Sequence, residues 1–310
     1  IAYITSRKQP MIHWFFDSLH NECDGNYDGI KVIVVDFYAG DAERQNLVAG
    51  LAHCEITHVE PKPSVWRGKY RLTNTDYHGC ASVRNTAVCL APDGWIVCVD
   101  DLTVLCPGWL KSVRRAMDGG YVCCGAYRKV KNLTVENGRI TGFEDNPPGN
   151  DHRIPSGSDT EAVPCHAQWL YGCSNAMPVE AILKINGWPE ICDSTGIGME
   201  DCHTGIALVN NGYKLRYDRS MMTLESEEHH GGENASGIRM DKNRGKLRVL
   251  IGGVSEPDEK SWALVRLLKN AKRFDNFFGP EGIEGLRRRV LAGESFPIPT
   301  EPTTDFYDGQ

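Results

Sequence analysis

Short apolar runs rich in β-branched residues alternate with segments of helical periodicity through the first half of the chain. The predicted strands cover 1–5, 31–35, 95–99 and 121–130, and the predicted helices between them cover 12–22, 81–91 and 109–117. In each helical segment the apolar residues recur three and four positions apart. This alternation predicts an α/β fold, a Rossmann-like and mostly parallel central sheet with helices on both faces.

Carboxylates follow two of these predicted strands. Asp36 comes directly after the run KVIVV, and Asp100 and Asp101 come directly after WIVCV. Two like charges inside an ordinary buried strand would cost roughly several kcal/mol unless positive charge met them, although an Asp pair can also simply begin a turn. Ligands of parallel sheets bind beyond the carboxyl ends of the strands. The three residues are therefore predicted to share one ligand site at that edge.

The composition is typical of a globular protein, with 41% hydrophobic and 24% charged residues. No run approaches the roughly 18 apolar residues that a membrane-spanning helix needs, and the first residues lack the order of a secretory signal. We therefore expect a cytoplasmic protein with no transmembrane segment. The 12 cysteines include no Cys-x-x-Cys pair, which favours reduced thiols in the core.

The charge distribution indicates a change of character near the C-terminus. Residues 239–289 hold 13 Lys and Arg against 7 Asp and Glu, and two amphipathic helical patterns lie there. The predicted organisation is a main domain, 1–238, with halves 1–125 and 126–238, followed by a basic helical extension with a proline-rich tail, 239–310.

Four segments together resemble the family 2 glycosyltransferases with the GT-A fold. They are SVRNTAVCLAPDGWIVCVDD (82–101), LCPGWL (105–110), YGCSNAMPVEAILKINGWPE (171–190), and GMED (198–201) leading to NGYKL (211–215). The resemblance spans roughly residues 1–225. It implies transfer of a hexosyl or pentosyl group from a nucleotide-sugar, in particular a UDP-sugar, to an acceptor hydroxyl with inversion.

The resemblance implies that a carboxylate of the Glu200–Asp201 pair is the general base. An alcohol is too weakly acidic to attack the sugar unaided, so a fixed carboxylate that takes its proton suits the reaction. The resemblance favours Asp201, with Glu200 as the alternative. Either residue alone could also be an acidic start of a helix, which the helix dipole favours.

A divalent cation, Mn²⁺ or Mg²⁺, is the cofactor that the resemblance implies. Asp100 and Asp101 would hold it against the donor diphosphate, because hard cations prefer carboxylate oxygens. His229 or His230 would complete its ligands, but not both, since adjacent side chains of an extended segment point apart. Leu102 stands where many family members have the metal-binding Asp, which puts metal dependence in doubt.

On the donor side, Thr5, Arg7 and Asp36 match positions that contact the nucleoside in the family. The carboxylate of Asp36 could accept the imide N–H of uracil. Arg84 is predicted to meet the diphosphate, and a structural salt bridge is the alternative role for this residue.

The acceptor is the part that the sequence specifies least. Trp169 and Tyr171, together with a long predicted loop at 141–166, could stack on a sugar ring, although both aromatic residues could equally be core. Met177–Pro178 replaces an Arg of the family's acceptor segment. A glycan, a lipid, a protein or a modified DNA base remains open as the acceptor.

Two other functions stay open at this stage. A nucleotidyltransferase shares a similar α/β core, but ITSRKQP (4–10) lacks the glycine-rich phosphate loop expected after the first strand. A sugar-nucleotide or glycan-binding module of the same fold, without catalysis, is the second alternative, and Leu102 is the feature that favours it.

Overall fold

The computed structural model describes residues 1–51, 53–67, 70, 79–158, 160–195, 199–230, 269–276 and 278–298. Gly198, most of the helix predicted at 261–274 and the proline-rich tail beyond 298 lie outside these ranges. No helix in the part described is long and apolar enough to cross a membrane. All 12 cysteines are present as free thiols, as predicted.

A mixed sheet holds the ten strands that the structure describes. The strands are β1 Ala2–Thr5, β2 Lys31–Asp36, β3 Glu55–Val59, β4 Trp95–Asp100, β5 Thr103–Leu105, β6 Val122–Glu136, β7 Arg139–Glu144, β8 Val163–Pro164, β9 Ser174–Pro178 and β10 Leu215–Ser226. Their order is β3-β2-β1-β4-β9-β6-β10-β5, with β7 beside β6 and β8 beside β10.

The central strands bring their carboxyl ends to one edge of the sheet. β1 pairs in parallel with β2 and β4, and β6 pairs in parallel with β10. β9 is antiparallel to both β4 and β6, so these two groups of strands point the same way. The last residues of β1, β2, β4 and β10 and the C-terminal half of β6 therefore lie along a common edge, which we call the carboxyl edge.

Seven α-helices accompany the sheet in the described ranges. They are α1 Ile12–Cys23, α2 Ala42–Gly50, α3 Cys80–Leu90, α4 Trp109–Gly119, α5 Val179–Lys184, α6 Glu200–Asn210 and α7 Gly282–Leu291. The α/β architecture predicted from the sequence is thereby confirmed, including the helix predicted at 12–22 and the strand predicted at 31–35.

The chain divides into two compact units. The described residues of the first fall within Ile1–Glu60, Gly94–Pro178 and Lys214–Ser236, and those of the second within Pro61–Asp93, Val179–Tyr213 and Gly237–Gln310. All ten strands with α1, α2 and α4 belong to the first unit, and α3, α5, α6 and α7 belong to the second. The predicted domain boundaries at 125 and 238 stay a prediction.

The core of the first unit follows from the helical spacing in α1. Phe15 and Leu19 lie four residues apart on one helix face and pack with Tyr3, Val32 and Val34 of the sheet. These side chains are at most 1% exposed. Every residue of β2 after Lys31 is buried, as expected for a strand covered on both faces.

In the second unit, α3 is buried at every position from Cys80 to Cys89. Asn85 is a polar residue on this buried helix, and its side-chain amide is hydrogen-bonded at both ends. Its Oδ1 accepts from the backbone N–H of Trp188 at 2.7 Å, and its Nδ2 donates to the Trp188 carbonyl at 2.9 Å and to Glu190 at 2.8 Å. Satisfying both ends of the amide removes most of the cost of burying it.

The prediction of a loop throughout 141–166 was wrong near its end, where Val163–Pro164 form β8 beside β10, and at its start. Residues Arg139–Glu144 form β7, which pairs with β6 in a hairpin. Asn137 and Gly138 have φ values of 50° and 70°, and Glu136 pairs with Arg139, so the turn has two residues with the positive φ values of a type I′ turn. The Asn-Gly signal was present in the sequence.

Candidate functional site

Three of the predicted donor-binding residues form one hydrogen-bonded network at the carboxyl edge. The hydroxyl of Thr5 donates to Asp101 Oδ2 at 2.7 Å, and Arg7 Nε donates to Asp101 Oδ1 at 3.0 Å. The backbone N–H of Arg7 donates to the Thr5 hydroxyl at 3.1 Å. Burial raises the pKa of Asp101, while the Arg7 guanidinium opposes that rise. Both oxygens of the Asp101 carboxylate therefore have partners within the protein.

Asp36 occupies the adjacent strand end but is fully buried. Its Oδ2 lies 3.1 Å from both Arg44 Nη1 and His58 Nε2, and its Oδ1 accepts from the backbone N–H of Tyr38 at 2.9 Å. These contacts order the segment that follows β2. A contact between Asp36 and uracil stays a prediction.

A second group of polar side chains lies at the same edge, and sequence reasoning missed two of its members. The register of β6 and β10 places Lys129 opposite Glu225, with Nζ 3.7 Å from Glu225 Oε2. His230 Nε2 lies 3.8 Å from the same oxygen. Burial raises the pKa of Glu225 to about 7; the Asp100 and Asp101 carboxylates add to that rise, and Lys129 opposes it.

The protonation of His230 follows from its contact with Arg7. Arg7 Nη2 lies 3.1 Å from His230 Nδ1, and a guanidinium can only donate, so Nδ1 accepts. Burial, with help from Lys129 and Arg7, lowers the pKa of His230 to about 3, which keeps the ring neutral. Its proton therefore sits on Nε2, which has no hydrogen-bond partner.

His229 points into a different environment. Its Nδ1 lies 2.6 Å from the Ser226 hydroxyl, and its ring meets Trp14 edge-on with centroids 5.5 Å apart. The two histidines thus face different partners, as expected for adjacent residues.

Leu102 is fully buried and adopts a left-handed backbone conformation, with φ 62°. Its N–H donates to the Pro10 carbonyl at 3.1 Å, and its carbonyl accepts from the Ser226 N–H at 3.2 Å. A non-glycine residue in this region costs about 1 kcal/mol or more. The side chain at this position contributes to the core and supplies no polar ligand.

Three residues at the carboxyl edge, Asp101, Leu102 and His230, are poorly suited to hold a divalent cation. Asp101 already accepts from Thr5 and Arg7, Leu102 is apolar, and His230 Nε2 carries a proton. Across the described ranges, no group of three or more His, Cys, Asp or Glu side chains is arranged to hold a metal ion. The chemistry of these donors gives the predicted Mn²⁺ or Mg²⁺ no support.

In the second unit, Glu200 and Arg84 form a buried ion pair with Nη1 2.5 Å from Oε1. Arg84 also stacks over the ring of Trp188. Burial and the Asp201 carboxylate raise the pKa of Glu200 to about 7, against the effect of Arg84. The salt bridge that was the alternative role for Arg84 is present, and its contact with a diphosphate stays a prediction.

Asp201 is placed differently from its neighbour. Both residues lie in the first turn of α6, after Met199 in a left-handed conformation. Glu200 is 4% exposed, whereas Asp201 is half-buried. Of the two carboxylates, Asp201 is thus the more exposed to solvent, and its role as the base stays a prediction.

Trp169 and Tyr171 are half-buried and lie in one aromatic cluster with His152. The cluster is fixed by Arg153, which is fully buried. The Arg153 guanidinium pairs with both oxygens of Asp151 at 2.8 Å, stacks 3.9 Å from the Tyr171 ring centroid, and donates to the Trp169 carbonyl. Sequence reasoning missed Arg153, because nothing periodic marks its surroundings.

No family model matches the sequence, and no curated protein matches it either. The structure does resemble solved ones. The S. aureus protein TarS, residues 1–349 in complex with UDP-GlcNAc, has a TM-score of 0.53 at 14% identity, covering 86% of this chain and 64% of that one. GalNAc-T7, solved with UDP, GalNAc and Mn²⁺, has a TM-score of 0.51 at 9% identity, covering 96% of this chain and 58% of that one.

These likenesses show that the chain has the fold of the GT-A glycosyltransferases. The chain spans less than two thirds of the length of either protein. At such low identity the comparison extends to the fold and leaves family 2 membership, donor and acceptor to other evidence.

Proposed function

We propose that this protein is a glycosyltransferase that moves a hexosyl or pentosyl group from a UDP-sugar to an acceptor hydroxyl with inversion. The observation that carries the proposal is the group of polar side chains at the carboxyl edge of a GT-A sheet. Buried Glu225 Oε1 and His230 Nε2 have no hydrogen-bond partner there, beside Asp100 and Lys129. Buried polar atoms without partners are costly, so their presence supports a polar ligand at this edge.

The chemistry assigned to the protein is a single displacement. Asp201 takes the proton of the acceptor hydroxyl, whose oxygen attacks the anomeric carbon of the donor sugar. The bond between that carbon and the diphosphate oxygen breaks, and UDP leaves with the bonding electrons. Thr5, Arg7 and Asp101 would orient the nucleotide. Trp169 and Tyr171 would offer aromatic faces to the acceptor, whose class stays open.

A divalent cation bound by Asp100 and Asp101, with one of the two histidines, remains the prediction from the sequence. No step of the proposed transfer depends on it, because Asp101, Leu102 and His230 are poorly suited to hold it. Cytoplasmic location likewise stays a prediction.

The proposal is tested by screening UDP-sugars and GDP-sugars for hydrolysis and then for transfer to mixed acceptors. Asp201→Asn should lower turnover about 10²–10⁴-fold, because a general base contributes about that much. Its affinity for UDP should stay within about threefold of wild type, since the variant changes the acceptor side of the reaction. Asp118→Asn, an exposed position on α4, is the matched control and should change neither quantity.

Each other result has a clear meaning. Unchanged turnover in Asp201→Asn would remove Asp201 from the role of base. Binding of UDP-sugars without hydrolysis or transfer would favour the binding module, and release of pyrophosphate from a nucleoside triphosphate and a sugar phosphate would favour the nucleotidyltransferase.

A further inference from the structure

A lysine stands beside the carboxylates at the carboxyl edge. Lys129 Nζ is 3.7 Å from Glu225 Oε2, which is longer than a hydrogen bond, and 35% of the Lys129 side chain is exposed. Glu225 is the largest influence that raises the pKa of Lys129, and Asp100 acts in the same direction. The side chain is therefore a charged ammonium with donors available to an incoming ligand.

Arg7, the other cation at this edge, is already engaged with partners inside the protein. It donates to Asp101 through Nε and to the His230 carbonyl through Nη1, and its Nη2 meets His230 Nδ1. Its side chain is only 9% exposed. Arg7 therefore fixes the positions of Asp101 and His230, whereas Lys129 retains freedom to pair with a ligand.

The polar atoms near Lys129 fit a ligand that both accepts and donates hydrogen bonds. His230 presents an N–H at Nε2, and Glu225 presents a buried acceptor at Oε1, both without partners. A nucleoside diphosphate has phosphate oxygens for the ammonium and the N–H, and ribose hydroxyls for the carboxylate.

We infer that the ammonium of Lys129 binds the donor diphosphate directly and that donor binding does not depend on a divalent cation. This inference rests on the proposed function. When the bond to the anomeric carbon breaks, negative charge accumulates on the departing diphosphate, and a cation already placed beside it stabilises that charge. Lys129 would provide this charge in a site where Asp101, Leu102 and His230 are poorly suited to hold a metal ion.

The test is calorimetry of UDP, GDP and uridine binding to the full chain, first in EDTA and then with Mn²⁺. Wild type should bind a nucleoside diphosphate in EDTA within about threefold of its affinity in Mn²⁺. Lys129→Met should weaken that binding about 10–100-fold, the range for losing a hydrogen bond to a charged group, and leave uridine unchanged. Lys129→Arg should restore most of the affinity, and Lys131→Met, an exposed lysine two residues on, should match wild type.

Uridine binding also shows that a variant is folded, so a loss confined to the diphosphate cannot come from misfolding. Binding that requires Mn²⁺ and disappears in EDTA would overturn the inference while leaving the proposed function intact. Equal diphosphate affinity in wild type and Lys129→Met would do the same. If wild type binds neither UDP nor GDP under any condition, the proposed function fails and this inference fails with it.

Discussion

Two ion pairs of the first unit have nearly the same length, but one is buried and the other is exposed to solvent. Comparing them therefore tests whether burial determines how strongly an ion pair stabilises the protein. Arg153 Nε lies 2.8 Å from Asp151 Oδ1 with both side chains fully buried, and Lys31 Nζ lies 2.7 Å from Glu55 Oε1 with side chains 48% and 62% exposed. The buried guanidinium also donates to the Gly125 carbonyl at 2.7 Å. Distance alone would rank the pairs as equals.

We expect them to differ several-fold in a double-mutant cycle. Arg153→Met leaves the fully buried Asp151 carboxylate without its counter-charge, which should cost about 3 kcal/mol or more. With Asp151→Asn as the second variant, the coupling energy should be about 2–3 kcal/mol, because removing the second partner relieves much of the loss from the first. The same cycle with Lys31→Met and Glu55→Gln should give less than about 1 kcal/mol, since water screens an exposed pair.

The assay is urea unfolding followed by circular dichroism, at low and at high salt. Adding salt should reduce the coupling of the Lys31–Glu55 pair and leave that of the Arg153–Asp151 pair nearly unchanged. Coupling energies that agree within error for the two pairs would refute the reasoning. A buried coupling below about 1 kcal/mol would have the same consequence.

Three further predictions concern single positions. Burial raises the pKa of Glu200 from 4.5 to about 7, so the folded state binds this proton more tightly than the unfolded state does. The resulting contribution to the free energy of unfolding is complete below pH 4.5 and is lost as the pH rises through 7. Glu200→Gln should therefore lose less stability than wild type between pH 5 and 8 in urea unfolding, and an identical decline would contradict this. Leu102→Asp should lower the free energy of unfolding by about 3 kcal/mol or more, because it buries a carboxylate, and should create no Mn²⁺-dependent UDP binding in calorimetry. Gly138→Ala should cost about 2 kcal/mol in thermal unfolding, since φ is 70° and the new Cβ would lie 2.2 Å from the Asp17 carbonyl carbon; an unchanged melting temperature would argue against that close approach.

The sequence was most informative about strands and helices that a local pattern of apolar residues defines. The β-branched run before Asp100 and the helical spacing within α1 were sufficient to predict both elements, and both are confirmed. The position of Asp100 and Asp101 at a strand end followed from that run alone, because the two residues come directly after it.

Pairings between distant segments were beyond the reach of the sequence. In the sequence, Lys129 and Glu225 resemble charged residues that are exposed near the end of a strand. Only the register of β6 and β10 brings the two side chains together. Arg84 has the charge expected of a phosphate ligand, but its nearest carboxylate, Glu200, lies on another helix. Such contacts depend on tertiary packing, which local patterns do not encode.

The strand that carries Lys129, β6, is held in place at both of its ends. Its first residues are buried in the sheet, and at its far end Asn137 accepts a hydrogen bond from Asn21 of α1 at 2.8 Å, while Gly138 lies against the backbone of the same helix. Because the backbone of β6 is held at both ends, the Lys129 side chain moves mainly through its own torsions. An insertion in the Asn-Gly turn would remove these contacts with α1. We therefore expect it to loosen the strand around Lys129, well away from the inserted residues.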